Sequence, residues 1–174
     1  PAATPLDLPA TSAAREPLEG MLVAPLDTLS VSEVFNLTRF GELMLSEGGL
    51  LVQPTELADA GSPEATAITA ANERRRIVLD DGTNASRSAT NRPYLSPNTP
   101  VRVGDELSFT SPLVIGFGFG NWRFQPADGT PEGTFAPQNT RPAAPDPVGG
   151  DVQIGAFNVL NYFLTLQADG GRGA

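Results

Sequence analysis

The sequence predicts a mainly β protein: an OB-like β-barrel with one short helix, flanked by Pro/Gly-rich linkers and a truncated C-terminal strand segment. Three observations predict it. Gly 18 and Pro 17 together make about a fifth of 174 residues, and so many breakers oppose long helices. The apolar residues fall in runs of about four to seven, which suits strands better than helices. Between 107 and 119, Leu107, Phe109, Leu113, Ile115, Phe117 and Phe119 all occupy odd positions, the period-2 signature of a strand with one buried face.

In chain order, residues 1–17 read as a Pro/Ala linker. Strands are expected at Met21-Leu22-Val23, from Val31 to Leu37, at Leu43-Met44-Leu45 and at Leu50-Leu51-Val52. One helix is expected from Ser62. A serine suits the N-cap, Pro63 the first helical position, and Glu64 the positive end of the helix dipole. An Ala-rich tract then runs to about Arg75, with Ile68 and Ala71 turned inward. Ile77-Val78-Leu79 reads as a strand closed by an Asp80-Asp81-Gly82 turn. Residues 83–100, with Pro93, Pro97 and Pro100, read as loop.

In the 107–119 run, Pro112 marks an edge or a bend. The bulky residues switch to even positions at Trp122 and Phe124, which places a tight turn or bulge at Gly120-Asn121. The barrel domain spans 18–127, with its helix expected between the third and fourth strands. A β-sandwich is the competing architecture. A Pro/Gly-rich linker covers 128–150, and 151–174 opens a second domain too short to bury a core.

Composition narrows function. The chain has no Cys and no His, which removes thiolate chemistry and every imidazole acid, base or metal ligand. Net charge is -9, which repels polyanions globally. All eleven basic residues are Arg. Residues 1–73 hold two Arg and eleven acids, residues 74–123 seven Arg and four acids, and residues 124–174 two Arg and five acids. The middle segment is therefore where a polyanion would dock. No apolar run reaches the ~18–20 residues of a spanning helix. The opening stretch lacks an initiator Met, a basic n-region and an apolar h-region, so the chain reads as an internal fragment.

Arg74-Arg75-Arg76, with Arg102 and Arg123 nearby if the strands pair, forms a candidate phosphate-contacting edge. The competing reading is a solvated helix end whose Arg residues complement the dipole. Trp122 and Phe124 suit either base stacking or a core, and Tyr94 is a stacking candidate in a polar loop. Asp80-Asp81-Gly82-Thr83-Asn84 lacks the spacing of a calcium loop and reads as a turn. Gly116-x-Gly118-x-Gly120 has no Lys-Ser/Thr and is no phosphate loop.

The stretch GGDVQIGAFNVLNYF resembles the start of the endonuclease/exonuclease/phosphatase domain of large extracellular bacterial nucleases. Glu19-Gly20-Met21, Arg39-Phe40-Gly41-Glu42-Leu43, Ile77-Val78-Leu79-Asp80-Asp81-Gly82 and Phe119-Gly120-Asn121-Trp122-Arg123-Phe124-Gln125-Pro126 resemble that group's accessory OB-like domain. The resemblance implies a secreted or cell-surface parent that hydrolyses phosphodiesters with a divalent metal, Mg or Ca, and DNA or RNA as partner. It places Asn158 at the metal-adjacent catalytic position. A lone neutral amide cannot hold such an ion, so this chain by itself is expected to be inactive, with no cofactor of its own. Its expected partner is then the catalytic domain of the same polypeptide. The alternative is a structural or interaction module of a cell-envelope protein that binds no nucleic acid.

Overall fold

The computed structural model describes residues 2–83, 101–127 and 133–138, together with 142, 144, 146, 147, 149–152, 154 and 155. The chain divides into two compact units, Pro1–Thr140 and Arg141–Ala174. The first is mainly β, with nine strands among its described residues in one curled, barrel-like sheet.

The strands are β1 (Thr4–Leu6), β2 (Leu22–Pro25), β3 (Leu29–Glu33), β4 (Leu43–Ser46), β5 (Arg76–Leu79), β6 (Glu106–Phe109), β7 (Leu113–Gly118), β8 (Asn121–Pro126) and β9 (Gly133–Ala136). They lie in the order β1-β2-β7-β8-β5-β4-β3-β6-β9. Only Leu26, Asp27 and Thr28 separate β2 from β3, so the two act as one bent strand. Its first half pairs antiparallel with β7 and its second half with β4. The series β3, β4, β5, β8, β7 therefore returns to the strand it began from, with β5 and β8 parallel. This strand order is OB-like, and it brings the β7–β8 hairpin beside the start of β5.

Alternation explains the core. Leu29 and Val31 of β3, Leu43 and Leu45 of β4, Ile77 and Leu79 of β5, and Leu113 and Ile115 of β7 all point inward and are buried. Phe124 joins them, edge-to-face with Phe109 at 5.8 Å between centroids. The central strands are covered on both faces. Val78 is buried between Ile77 and Leu79, and Arg123 between Trp122 and Phe124; Val78 and Arg123 are register partners.

Among the described residues four α-helices accompany the sheet, three of them single turns: α1 (Ser12–Arg15), α2 (Leu37–Phe40) and α3 (Pro54–Leu57). The long one, α4 (Pro63–Arg75), starts where the sequence predicts, with Ser62 Oγ accepting from the Ala65 N–H at 3.0 Å. It buries only Ala65, leaving Ile68 and Ala71 half-exposed. Hydrogen bonds hold it instead: Asn72 Nδ2 donates to Val52 O, and Arg75 donates to Glu47 O and Gly49 O. With β2 and β3 counted as one strand, α4 enters between the second and third barrel strands, not the third and fourth.

Several expectations are corrected. Residues 1–17 are not a linker: β1 pairs parallel with β2, Leu6 and Leu8 are buried, and Thr11 caps α1. The Pro/Ala composition hid two core leucines. Residues 133–136 of the expected second linker form β9 on β6, with Phe135 packed against the core. Residues 34–37 and 50–52 carry no strand.

The odd-position alternation stops at Ile115. Phe117 is 52% and Phe119 79% exposed, because the β7–β8 hairpin runs past the core. Its two-residue turn is Phe119-Gly120, one residue earlier than expected, with φ of 52° and 77°. Two positive φ values define the type I′ geometry that suits twisted hairpins.

In the second unit, Asp151, Val152, Ile154 and Gly155 carry no strand, and Val152 and Ile154 are exposed.

Candidate nucleic-acid interface

The predicted arginines do not act together. Arg75, at the end of α4, spends its guanidinium on the β4–α3 connection: Nε donates to Glu47 O at 2.8 Å and Nη2 to Gly49 O at 3.0 Å. Arg123, only 5% exposed, lies inside a carboxylate cluster. Its Nη1 donates to Asp80 Oδ2 at 2.5 Å and to Glu42 Oε1 at 3.2 Å, and its Nη2 to Gly118 O at 2.7 Å. Gln125 Nε2 donates to the same Asp80 oxygen at 3.0 Å. A buried guanidinium so occupied is structural and cannot reach a phosphate. Arg102 is exposed in the turn before β6, where its N–H donates to Asp105 Oδ2 at 2.8 Å. Tyr94 and Asn158 lie outside the described residues.

Arg74 and Arg76 do converge, and on a residue the sequence reading passed over. They line a cleft of about 240 Å³ with Arg15, Glu73, Phe117 and Trp122. Arg15 is 2% exposed. Its Nη2 donates to Arg74 O at 2.6 Å and its Nη1 to Arg76 O at 3.1 Å, so it caps the carbonyl end of α4. Burial pushes Arg15 down to about 10; the Glu73 carboxylate opposes that fall and Arg76 adds to it. Arg76 is paired with Glu73, Nη2 to Oε1 at 2.7 Å. Among the described residues the exposed Arg74 side chain has no hydrogen-bond or ion-pair partner.

One wall of the cleft is aromatic. Trp122 packs edge-on to Phe117, with centroids 5.3 Å apart, and its Nε1 donates to Ser12 Oγ at 2.9 Å. On the other side of the same hairpin, Phe119 stands over Arg123 at 5.2 Å. There it lines a second cavity of about 460 Å³ with Asn36, Phe40, Glu42 and Thr83. Arg39 stacks on Phe40 at 5.0 Å. The hairpin thus presents Phe117 and Trp122 to the first cavity and Phe119 to the second, and Phe117 and Phe119 together line a third, of about 400 Å³, beside Arg123.

Among the described residues the carboxylates form no metal centre. Asp80 and Glu42 are both turned onto Arg123, and Asp80 Oδ1 and Asp81 Oδ1 accept from the N–H groups of Gly82 and Thr83, respectively. Among the described residues no group of three or more carboxylates could hold a metal ion. The residues described therefore do not fit the Mg or Ca implied by the nuclease resemblance. Among the same residues, no helix is long and apolar enough to cross a membrane.

No family model matches this chain, and no curated protein or solved structure matches it either.

Proposed function

We propose that this chain is a non-catalytic accessory module of a secreted or cell-surface nuclease, and that it holds single-stranded nucleic acid for a catalytic domain of the same polypeptide. The observation that carries the reading is the β7–β8 hairpin. It offers exposed Phe117 and Phe119 on a barrel-like sheet, with the Arg74 side chain, unpaired among the described residues, lining the same cleft as Phe117. Aromatic rings stack on any base, and a nearby guanidinium neutralises the backbone. The nuclease part rests on the resemblance of residues 18–174, and the Mg or Ca belongs to the parent's catalytic domain.

Fluorescence anisotropy with a labelled single-stranded DNA tests the binding role. Measurable affinity at low salt is expected, weakened by Phe117→Ala and by Phe119→Ala. Absence of binding at low salt ends the reading.

A second reading has specific support. Arg75, Arg76 and Arg123 are all engaged within the chain, and net charge is -9. Both favour a structural or interaction module of a cell-envelope protein. That reading predicts no salt-dependent nucleic-acid affinity and a protein partner recovered from envelope fractions.

A further inference from the structure

We infer that the cleft between the end of α4 and the β7–β8 hairpin binds a phosphomonoester, the terminal phosphate of a nucleotide or oligonucleotide, with the adjoining base against Phe117. The inference deepens the proposed nucleic-acid role and rests on it for the nucleotide, but the phosphate site stands on its own geometry.

Charge balance carries the argument. Arg15, Arg74 and Arg76 meet a single carboxylate, Glu73, in a cleft of about 240 Å³, which leaves two positive charges in excess. Buried charges are ordinarily paired. Arg15 is 2% exposed, yet among the described residues it makes no ion pair. Its partners are the neutral carbonyls of Arg74 and Arg76, and its Nε is buried with no hydrogen-bond partner among the described residues. Arg76 already shares Glu73. The missing counter-charge is an anion from outside the chain.

The excess selects the anion. A backbone phosphodiester carries one negative charge, whereas a phosphomonoester approaches two at pH 7, its second pKa being about 6. The exposed Arg74 guanidinium supplies the forked donors that phosphate oxygens accept, while Arg15 and Arg76, engaged with backbone carbonyls and with Glu73, add positive charge behind it. Thr11, Ser12 and Asn121 add polar side chains to the lining, and Phe117 with Trp122 supplies the ring surface that a base requires and a phosphorylated peptide does not. The cleft is also compact, which suits a chain end better than a strand passing through.

Trp122 is the chain's single tryptophan and lines this cleft, so its fluorescence reports occupancy. The whole chain is titrated with inorganic phosphate, a nucleoside 5′-monophosphate, matched oligonucleotides with 5′-phosphate or 5′-hydroxyl ends, and a phosphoserine peptide. The 5′-phosphorylated oligonucleotide is expected to bind about tenfold tighter than its 5′-hydroxyl twin. Arg74→Ala is expected to abolish most of that difference. Arg15→Met is expected to do the same; should it fail to fold, the exposed Arg74 variant decides.

Equal affinity of the two oligonucleotides overturns the terminal-phosphate site while leaving general strand binding standing. Phosphate and mononucleotide binding without any gain for the oligonucleotide supports the site and contradicts the strand-holding role. A phosphoserine peptide as tight as the mononucleotide overturns the nucleotide assignment. No change in fluorescence with any phosphate overturns the proposal entirely.

Discussion

Arg123 on β8 donates from Nη1 to Asp80 Oδ2 at 2.5 Å, across 43 residues of sequence, and from the same nitrogen to Glu42 Oε1 at 3.2 Å. One guanidinium therefore ties three segments: the second strand of the hairpin, the residue that follows β5 and the residue that precedes β4. Removing it strands two carboxylates beside a filled core. Arg123→Ala is expected to cost about 3–5 kcal/mol, read from urea unfolding midpoints. A loss under about 1 kcal/mol would mean the cluster is solvated rather than structural.

The N-terminal segment is part of the fold. Deleting residues 1–17 removes Leu6, Leu8 and the Arg15 cap on α4. It is expected to lower the unfolding midpoint sharply or to prevent folding, since each buried leucine alone is worth about 2–5 kcal/mol. An unchanged midpoint would restore the linker reading.

Phe119 pits stability against binding. Its φ of 52° costs a non-glycine residue about 1–2 kcal/mol, partly offset by about 0.5–1 kcal/mol from its stacking on Arg123. Asn accepts this conformation more readily, so Phe119→Asn is expected to stabilise the protein by about 0.5 kcal/mol. It is also expected to weaken single-strand binding by about 1–3 kcal/mol through the lost ring. Stability and affinity falling together would show that Phe119 supports the fold only.

Gly41 ends α2 with φ of 72°, and a Cβ there would stand 2.7 Å from Asp81 Oδ2. Gly41→Ala is therefore expected to destabilise by about 1–2 kcal/mol from backbone strain alone, and more from the contact. Thermal unfolding reads the loss, and Gly20→Ala, with φ of 75° and open space around it, serves as the strain-only control.

Arg15 gives the pH dependence. Its folded pKa of about 10 lies below its unfolded value, so folding disfavours the charged form. The penalty is complete below about 10 and is relieved as pH rises toward the unfolded value, where the unfolded chain still holds the proton. Wild type is therefore expected to gain stability relative to Arg15→Met between about pH 9 and 11. A constant difference across that range contradicts the burial of this charge.

Much of the barrel was legible in the sequence because its signals are local. The odd positions 107–115, the Ser62-Pro63-Glu64 helix start and the Ile77-Val78-Leu79 run each carry their pattern within one element. The same alternation misled at Phe117 and Phe119, because a hairpin that outruns its core keeps its period while losing its cover. The fate of the arginines was not legible. Arg75 and Arg123 are consumed by partners 28 and 43 residues away, and the Arg15 contacts to Arg76 and Arg74 span 61 and 59. No spacing rule within one element signals such convergence. The clue in the sequence was Arg15 itself, one of only two bases among eleven acids in residues 1–73.

The most direct measurement is the salt dependence of single-stranded DNA affinity for wild type and Arg74→Ala. The account predicts log affinity falling linearly with log salt in the wild type, with the Arg74→Ala slope shallower by about 0.7, the loss of one single-strand phosphate contact. Superimposable slopes, or no affinity even at low salt, would contradict it.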